Sequence, residues 1–310
     1  MRVTGISMVR NEGDVIEAFV RHHAALLDEL VVVDHLSIDS TGELLAALAA
    51  EGLPVNVRAE RSSVHRQNAV MTGLMREAAT VGGADWVVPL DADEFLIAPD
   101  SEVREVVGGL PRDRPCAVGM RVYVPTPDDQ HDEPNVLRRI RRRREPGGGR
   151  WTRKVLVPAA CARDTGLSLA QGSHGLVPPG TREFVPSGCT DRLALAHFPI
   201  RSAAQVARKV LGGWPAHVAR PDRPPNGAPQ WKRAFDAVVA GRALTARELE
   251  LLALEYPEAV PEERHVLIFD PVPAHFELRH PVSDGPTPLE VLAETTVRVA
   301  EELSDALRAT

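Results

Sequence analysis

Two periods alternate over the first hundred residues. Residues 3–9 read as a short strand, and apolar positions over 15–27 recur at helical spacing. Residues 30–33 are a second apolar run, ending in Asp34. Ser40 or Thr41 can cap the next helix, which carries Leu44, Leu45 and Leu48 on one face. Residues 55–59 give a third strand, 64–79 return to helical spacing, and 86–90 give a fourth strand that stops at Asp91-Ala92-Asp93-Glu94. This rhythm predicts a parallel sheet covered on both faces. Ligands of such sheets lie beyond the carboxyl ends of the strands. Those ends carry Arg10-Asn11-Glu12, Asp34 and Asp91/Asp93.

Beyond residue 110 the pattern loosens. Strands are expected at 117–124 and 152–157, separated by an arginine run from Arg138 to Arg144 and a glycine-rich loop. Residues 160–195 read as long loops with short strands, and helical spacing resumes at Ser202. Residues 215–230 are proline-rich. Thr245 and Glu248 form a capping box, 266–269 suit a strand, and 288–307 read as a closing amphipathic helix. The division expected is a mixed α/β body over 1–213 and a mostly helical region over 214–310.

Composition narrows the function. A chain of 310 residues with 44% hydrophobic and 25% charged residues can bury a full core without disulfides. Its formal net charge of −7 argues against a nucleic-acid partner. Cys116, Cys161 and Cys189 are scattered, which suggests buried free thiols. No segment has the length and apolarity of a membrane span or a leader, so a cytoplasmic location is expected. Of 36 basic residues only Lys154, Lys209 and Lys232 are lysines.

The densest chemistry is in Trp86–Phe95, where an apolar strand delivers two carboxylates one residue apart. Alternate side chains of extended backbone share a face, so Asp91 and Asp93 can address one ligand. Oxygen donors of this kind suit Mg2+ or Mn2+. Spacing alone allows equally a loop whose acids cap a turn.

VRNEGDVIEAFVRHH, LVVVDHLSIDST and DWVVPLDADEF together resemble the family 2-like glycosyltransferases of the GT-A fold. WTRKVLV and LAHFP, with Ser202, Lys209 and Gly212 downstream, extend the resemblance to about residue 213. It implies a GT-A fold, a Rossmann-like mixed sheet flanked by helices, and an enzyme that moves a sugar from a nucleotide-diphosphate donor to an acceptor, with inversion. It places Arg10, Asn11, Glu12, Asp34 and Arg66 near the nucleotide, Asp91 at ribose or sugar, and Lys154 and Lys209 at the diphosphate. A divalent metal, Mn2+ or Mg2+, would sit on Asp93 and His197. The general base would be an Asp or Glu; Asp164, Glu183 and Asp191 are candidates by location, with Asp191 preferred. The acceptor, whether small molecule, glycan or peptide, would be chosen by residues 125–190 and the C-terminal part, whose helices would cover the cleft or form a homodimer.

Two further features stay open on the residues alone. His174, in a glycine-rich loop, borders the acceptor or is structural. The arginine run is a solvated face or a basic wall that draws in an anion, with Arg138 and Arg139 the members closest to function. A nucleotidyltransferase making nucleotide sugars and a non-catalytic nucleotide-sugar-binding protein are the competing readings.

Overall fold

The computed structural model describes residues 1–60, 67–130, 132–145, 153–219, 229–256, 266–280 and 285–308. Its first part alternates β1 (Val3–Val9), α1 (Ile16–Ala24), β2 (Glu29–His35), α2 (Thr41–Ala50), β3 (Val55–Glu60), α3 (Gln67–Thr80) and β4 (Trp86–Pro89). There follow β5 (Glu94–Ile97), α4 (Val103–Gly108), β6 (Cys116–Val122), α5 (Val136–Arg139), β7 (Arg142–Arg144), β8 (Arg153–Pro158) and α6 (Ala159–Ala162). After β9 (Ser168–Leu169) and β10 (Leu176–Val177) come β11 (Gly188–His197), α7 (Ala203–Ala219), α8 (Pro229–Val239), α9 (Ala246–Leu254), β12 (Leu267–Phe269) and α10 (Pro288–Arg308).

One eight-stranded sheet organises the body, in the order β3-β2-β1-β4-β8-β6-β11-β5. β1 lies parallel between β2 and β4 and is buried along its whole length, Thr4 and Ser7 included. Successive side chains leave on opposite faces. Val3, Val9, Leu30 and Val32 join Phe19 of α1, Leu45 of α2 and Trp86 in one core. Ile6, Met8, Val31 and Val33 join Met71 and Met75 of α3 in the other. The parallel sheet expected from the first hundred residues is β3-β2-β1-β4, and β6 and β11 also pair in parallel. β8 runs antiparallel to both β4 and β6, and β5 antiparallel to β11, so the sheet is mixed.

The position of β5 matters most for function. After β4 the chain turns through Leu90–Asp93 and enters a strand at the far edge of the sheet, where Glu94 pairs with His197 at the end of β11. The Phe198 amide then donates to the Asp93 carbonyl at 2.8 Å. Two strand tips distant in sequence are thereby pinned together.

The C-terminal part is mostly helical. α8 and α9 pack with α7 on a third core that includes Val124 and Ile200. The capping box at Thr245 and Glu248 is present, with both reciprocal bonds formed. α7 runs unbroken from Ala203 to Ala219, so the expected boundary after residue 213 falls within a helix.

Two expectations change. The arginine run does not line the cleft at the strand tips: it ends α5, forms β7 and is tied to the segment after β12, with Arg138 and Arg139 bordering two separate surface cavities. Arg138 pairs with Glu277 at 2.7 Å, Arg143 and Arg121 share Asp270 at 2.5 and 3.0 Å, and Arg139 donates to the Glu133 carbonyl at 2.6 Å. The cysteines are free, but only Cys116 is buried; Cys161 is half-buried and Cys189 exposed.

Candidate active site

Five carboxylates gather at the strand tips around two buried cations. Lys154 on β8 sits beneath the turn after β4, its side chain 2% exposed, with its ammonium 2.6 Å from Asp91 Oδ2 and 2.9 Å from Glu94 Oε2. The Asp91 amide donates to the same Glu94 oxygen at 3.0 Å. Burial works against the Lys154 charge, but Asp91 and Glu94 outweigh it and raise the pKa. Burial dominates at Glu94 and pushes its carboxyl up to about 7 despite Lys154. Glu94 Oε1 has no hydrogen-bond partner.

Arg201 is the second cation, with a side chain only 1% exposed. It donates to Glu12 Oε2 at 2.6 Å and to Asp14 Oδ2 at 2.8 Å, and its guanidinium lies 3.5 Å from Asp93 Oδ2. The other oxygen of Asp93 stands 3.4 Å from His197 Nε2. Burial opposes ionisation of Asp93, but His197, Lys209 and Arg201 overcome it and hold the carboxyl well below the usual carboxylate range. Glu12, less tightly compensated, is pushed by burial up to about 7. His197 Nδ1 is buried without a partner, and the ring meets Tyr256 edge-on at 5.2 Å.

The β1 tip is fixed through its backbone. Asn11 adopts a left-handed conformation at φ 55°, which Asn tolerates better than most residues. Its amide donates to Ser37 Oγ at 2.9 Å, and its Oδ1 accepts from the Ile38 amide at 2.8 Å. Gly13 passes so close to the loop before α2 that a Cβ there would lie 2.6 Å from Ser40 Oγ.

The structure brings Arg10, Asn11, Glu12, Asp91, Asp93, His197 and Lys209 to one end of the sheet. Arg10 pairs with Glu294 of α10. Asp34 stands at the β2 tip, its Oδ1 accepting from Ser37 Oγ at 2.5 Å. Lys209 donates to the Pro199 carbonyl at 3.4 Å and lies 5.5 and 5.8 Å from the Trp231 and Tyr256 ring centroids. His174 is anchored through Nδ1 to the Arg153 carbonyl at 2.7 Å. Arg66 lies outside the described residues.

Two expected roles shift. Lys154, expected against a diphosphate oxygen, is buried and bonded to Asp91 and Glu94. Asp191, the preferred base, is exposed near the opposite end of β11; six residues of extended strand put it roughly 20 Å from His197. Asp164 and Glu183 are likewise exposed. Arg201 and the role of Glu94 escaped sequence reasoning. The available signal was Phe198-Pro199-Ile200-Arg201, a cation directly after the His-bearing strand tip.

Above these groups lies a cleft of about 720 Å³. Arg10, Asn11, Glu12 and Arg201 line one side, and side chains of α7 and α10 the other. Of the five strand-tip carboxylates only Glu12 lines this cleft, whose other ionisable lining is mostly basic.

A family model described as Glycosyl transferase family 2 matches residues 6–172. No curated protein sequence matches the chain. Among solved structures, Staphylococcus aureus TarS 1-349 is similar at 14% identity and a TM-score of 0.37, over 55% of this chain and 51% of that one. The chain thus spans about half the length of that relative. The same protein in complex with UDP matches at 12% identity and a TM-score of 0.39, over 68% and 64%. The mannosyltransferase PcManGT from Pyrobaculum calidifontis, in complex with GDP-Man and Mn2+, matches at 18% identity and a TM-score of 0.38, over 83% and 81%.

Proposed function

The chain belongs to glycosyl transferase family 2, and from that premise we propose that it transfers a sugar from a nucleoside-diphosphate donor to an acceptor, with inversion and with the help of a divalent cation. The acceptor is a small molecule, glycan or peptide, and the location cytoplasmic. The observation that carries the reading is the meeting of Asp93 and His197 at two strand tips, 3.4 Å apart.

These residues fit a cation. Asp93 Oδ1 and His197 Nε2 are close enough to share one ion, and five strand-tip carboxylates exceed the charge of Lys154 and Arg201. A carboxylate oxygen with an imidazole nitrogen suits Mn2+ better than Mg2+. Among the described residues no three His, Cys, Asp or Glu side chains form a closed metal cage. The remaining positions would therefore fall to donor phosphates and water, as is usual for ions of this class. When bound, the cation offsets the charge that grows on the departing diphosphate.

The chain's own residues do the rest. Lys154 holds Asp91 at the β4 tip, where its partly exposed carboxylate can accept from a ribose or sugar hydroxyl. Arg201 locks Glu12, Asp14 and Asp93 into one unit, so the β1 tip and the Asp93 turn keep a fixed separation. Gln67 Nε2, 3.4 Å from Asp91 Oδ1, and Gln171, which donates to Gln67 at 2.7 Å, extend the polar rim.

A thermal-shift panel of nucleoside diphosphates with and without Mn2+ tests the reading. One nucleotide class should raise the melting temperature in Mn2+; a ligand at 100 times its Kd adds about 2.7 kcal/mol. Asp93→Asn should remove the Mn2+-dependent part. No response to any nucleotide, together with no turnover of nucleotide sugars, would overturn the proposal.

A further inference from the structure

The basic wall of the cleft comes from helices beyond the family match, which ends at residue 172. α7 supplies Arg208, Lys209 and His217, α10 supplies Thr295 and Arg298, and Arg10 reaches up from the β1 tip. The carboxylates that line the same cleft are Glu12 and Glu294. Glu12 is held by Arg201, which leaves Glu294 as the single acid embedded in the wall itself among the described residues.

Three of the wall's side chains keep a buried polar atom with no hydrogen-bond partner: Arg208 Nε, His217 Nε2 and Thr295 Oγ1. Buried polar atoms are nearly always paired. Three unpaired ones on a single cleft mark a place where acceptor atoms are missing. The wall is also rigidly backed. A Cβ on Gly285, just ahead of α10, would lie 2.9 Å from Arg208 Nη1, so the guanidinium is pressed against the chain. Arg298 donates to the Gly212 carbonyl at 3.1 Å. Glu294 pairs with Arg10 and approaches Arg298 Nε at 4.0 Å. Its carboxylate occupies the place that an anionic ligand would take.

We propose that this wall is a phosphate-binding site, with Arg208, Arg298 and Thr295 holding a phosphate-bearing ligand and Glu294 as the internal anion that the ligand displaces from Arg10. The phosphate belongs either to the nucleotide donor or to a phosphorylated acceptor; only that choice rests on the transferase reading. The arrangement explains why α10 packs along α7: the two helices together build a wall that neither carries alone. Arginine suits the task because its planar fork matches phosphate oxygens.

Calorimetric titration of the full chain with inorganic pyrophosphate, at low salt, tests the site. Wild type should bind, and Arg208→Ala should weaken binding about tenfold or more, the usual effect of losing a charged hydrogen bond. Glu294→Gln should tighten binding several-fold by removing the competing carboxylate, a gain that a misfolded variant cannot mimic. Pyrophosphate affinities that agree within twofold across the three proteins, or no binding to wild type, would overturn the proposal.

Parallel titrations identify the source. If Arg208→Ala weakens UDP or GDP by the same factor as pyrophosphate, the donor supplies the phosphate. If nucleotides are unaffected while ribose 5-phosphate loses affinity, a phosphorylated acceptor does. Pyrophosphate binding with this mutational pattern, in a chain that transfers no sugar, would leave the site standing and refute the transferase reading. Sugar transfer with mutation-insensitive pyrophosphate binding would do the reverse.

Discussion

Replacing Lys154 by methionine keeps the volume of the side chain and removes its charge. Lys154 is 2% exposed, and its ammonium is the shared partner of Asp91 at 2.6 Å and Glu94 at 2.9 Å, the latter side chain itself 1% exposed. Without the cation, two carboxylates face each other with Glu94 buried and uncompensated. Breaking a buried pair by removing one partner typically costs about 3–5 kcal/mol, most of it the penalty of the charge left behind. Asp91 is 36% exposed and can turn to water, so the cost should fall at the lower end. Urea denaturation at pH 7 should read it as a drop in the midpoint with an unchanged slope. Glu94 then has no cation to favour its charge and its carboxyl rises further from about 7, so the loss should grow as pH rises above 7 and the wild-type pair ionises while the variant's carboxyl stays protonated. The double variant Lys154→Met/Glu94→Gln should recover most of the stability while donor turnover stays low, because Asp91 is no longer held. A loss that does not grow as pH rises above 7 would refute the assignment of Lys154 as the buried counter-ion.

Further outcomes follow from the same geometry. Burial raises Glu12 and Glu94 from 4.5 to about 7, so over that interval the folded state binds more protons than the unfolded one. Their contribution to stability is full below the unfolded value and is lost as pH rises through 7, at up to about 1.4 kcal/mol per pH unit for each group. Glu94→Gln should flatten this slope in unfolding measurements between about pH 5 and 8, and an unchanged slope would contradict it. Arg201→Met leaves Glu12, Asp14 and Asp93 without their common partner and should cost about 3–5 kcal/mol by urea denaturation; Arg201→Lys, lacking the fork, should recover only part of that. Donor turnover should vanish in excess chelator and return better with Mn2+ than with Mg2+, and turnover that survives chelation would remove the cation from the mechanism. Thr245→Ala, which breaks the α9 capping box, should cost about 1 kcal/mol and leave nucleotide binding unchanged.

The two kinds of information in the sequence were not equally readable. β2 and β4 were legible because each is largely buried and so appears as an apolar run that ends where the sheet ends, whereas β3, a half-open edge strand, showed itself through Val55 and Val57 alternating with polar residues. The same logic exposed Asp91 and Asp93, since a carboxylate that stops such a run must sit at a strand tip. What periodicity could not supply was which tips meet. Asp191 looked close to His197 because only six positions separate them, yet an extended strand turns closeness in sequence into distance in space. Lys154 lies 63 positions from Asp91 and is in contact with it. Arg201 was hidden by composition: in a chain whose basic residues are almost all arginine, one more arginine after a strand carries no weight until its three acidic partners are seen around it. Glu94 was read with its neighbours as part of an acidic turn, whereas it begins an edge strand whose register against β11 sets the Asp93–His197 distance. The carboxylates of the site were thus visible from local pattern, while the two cations that hold them in place are products of topology, because antiparallel β8 and the end of β11 are delivered to the β4 tip by strands that the rhythm of the first hundred residues does not contain.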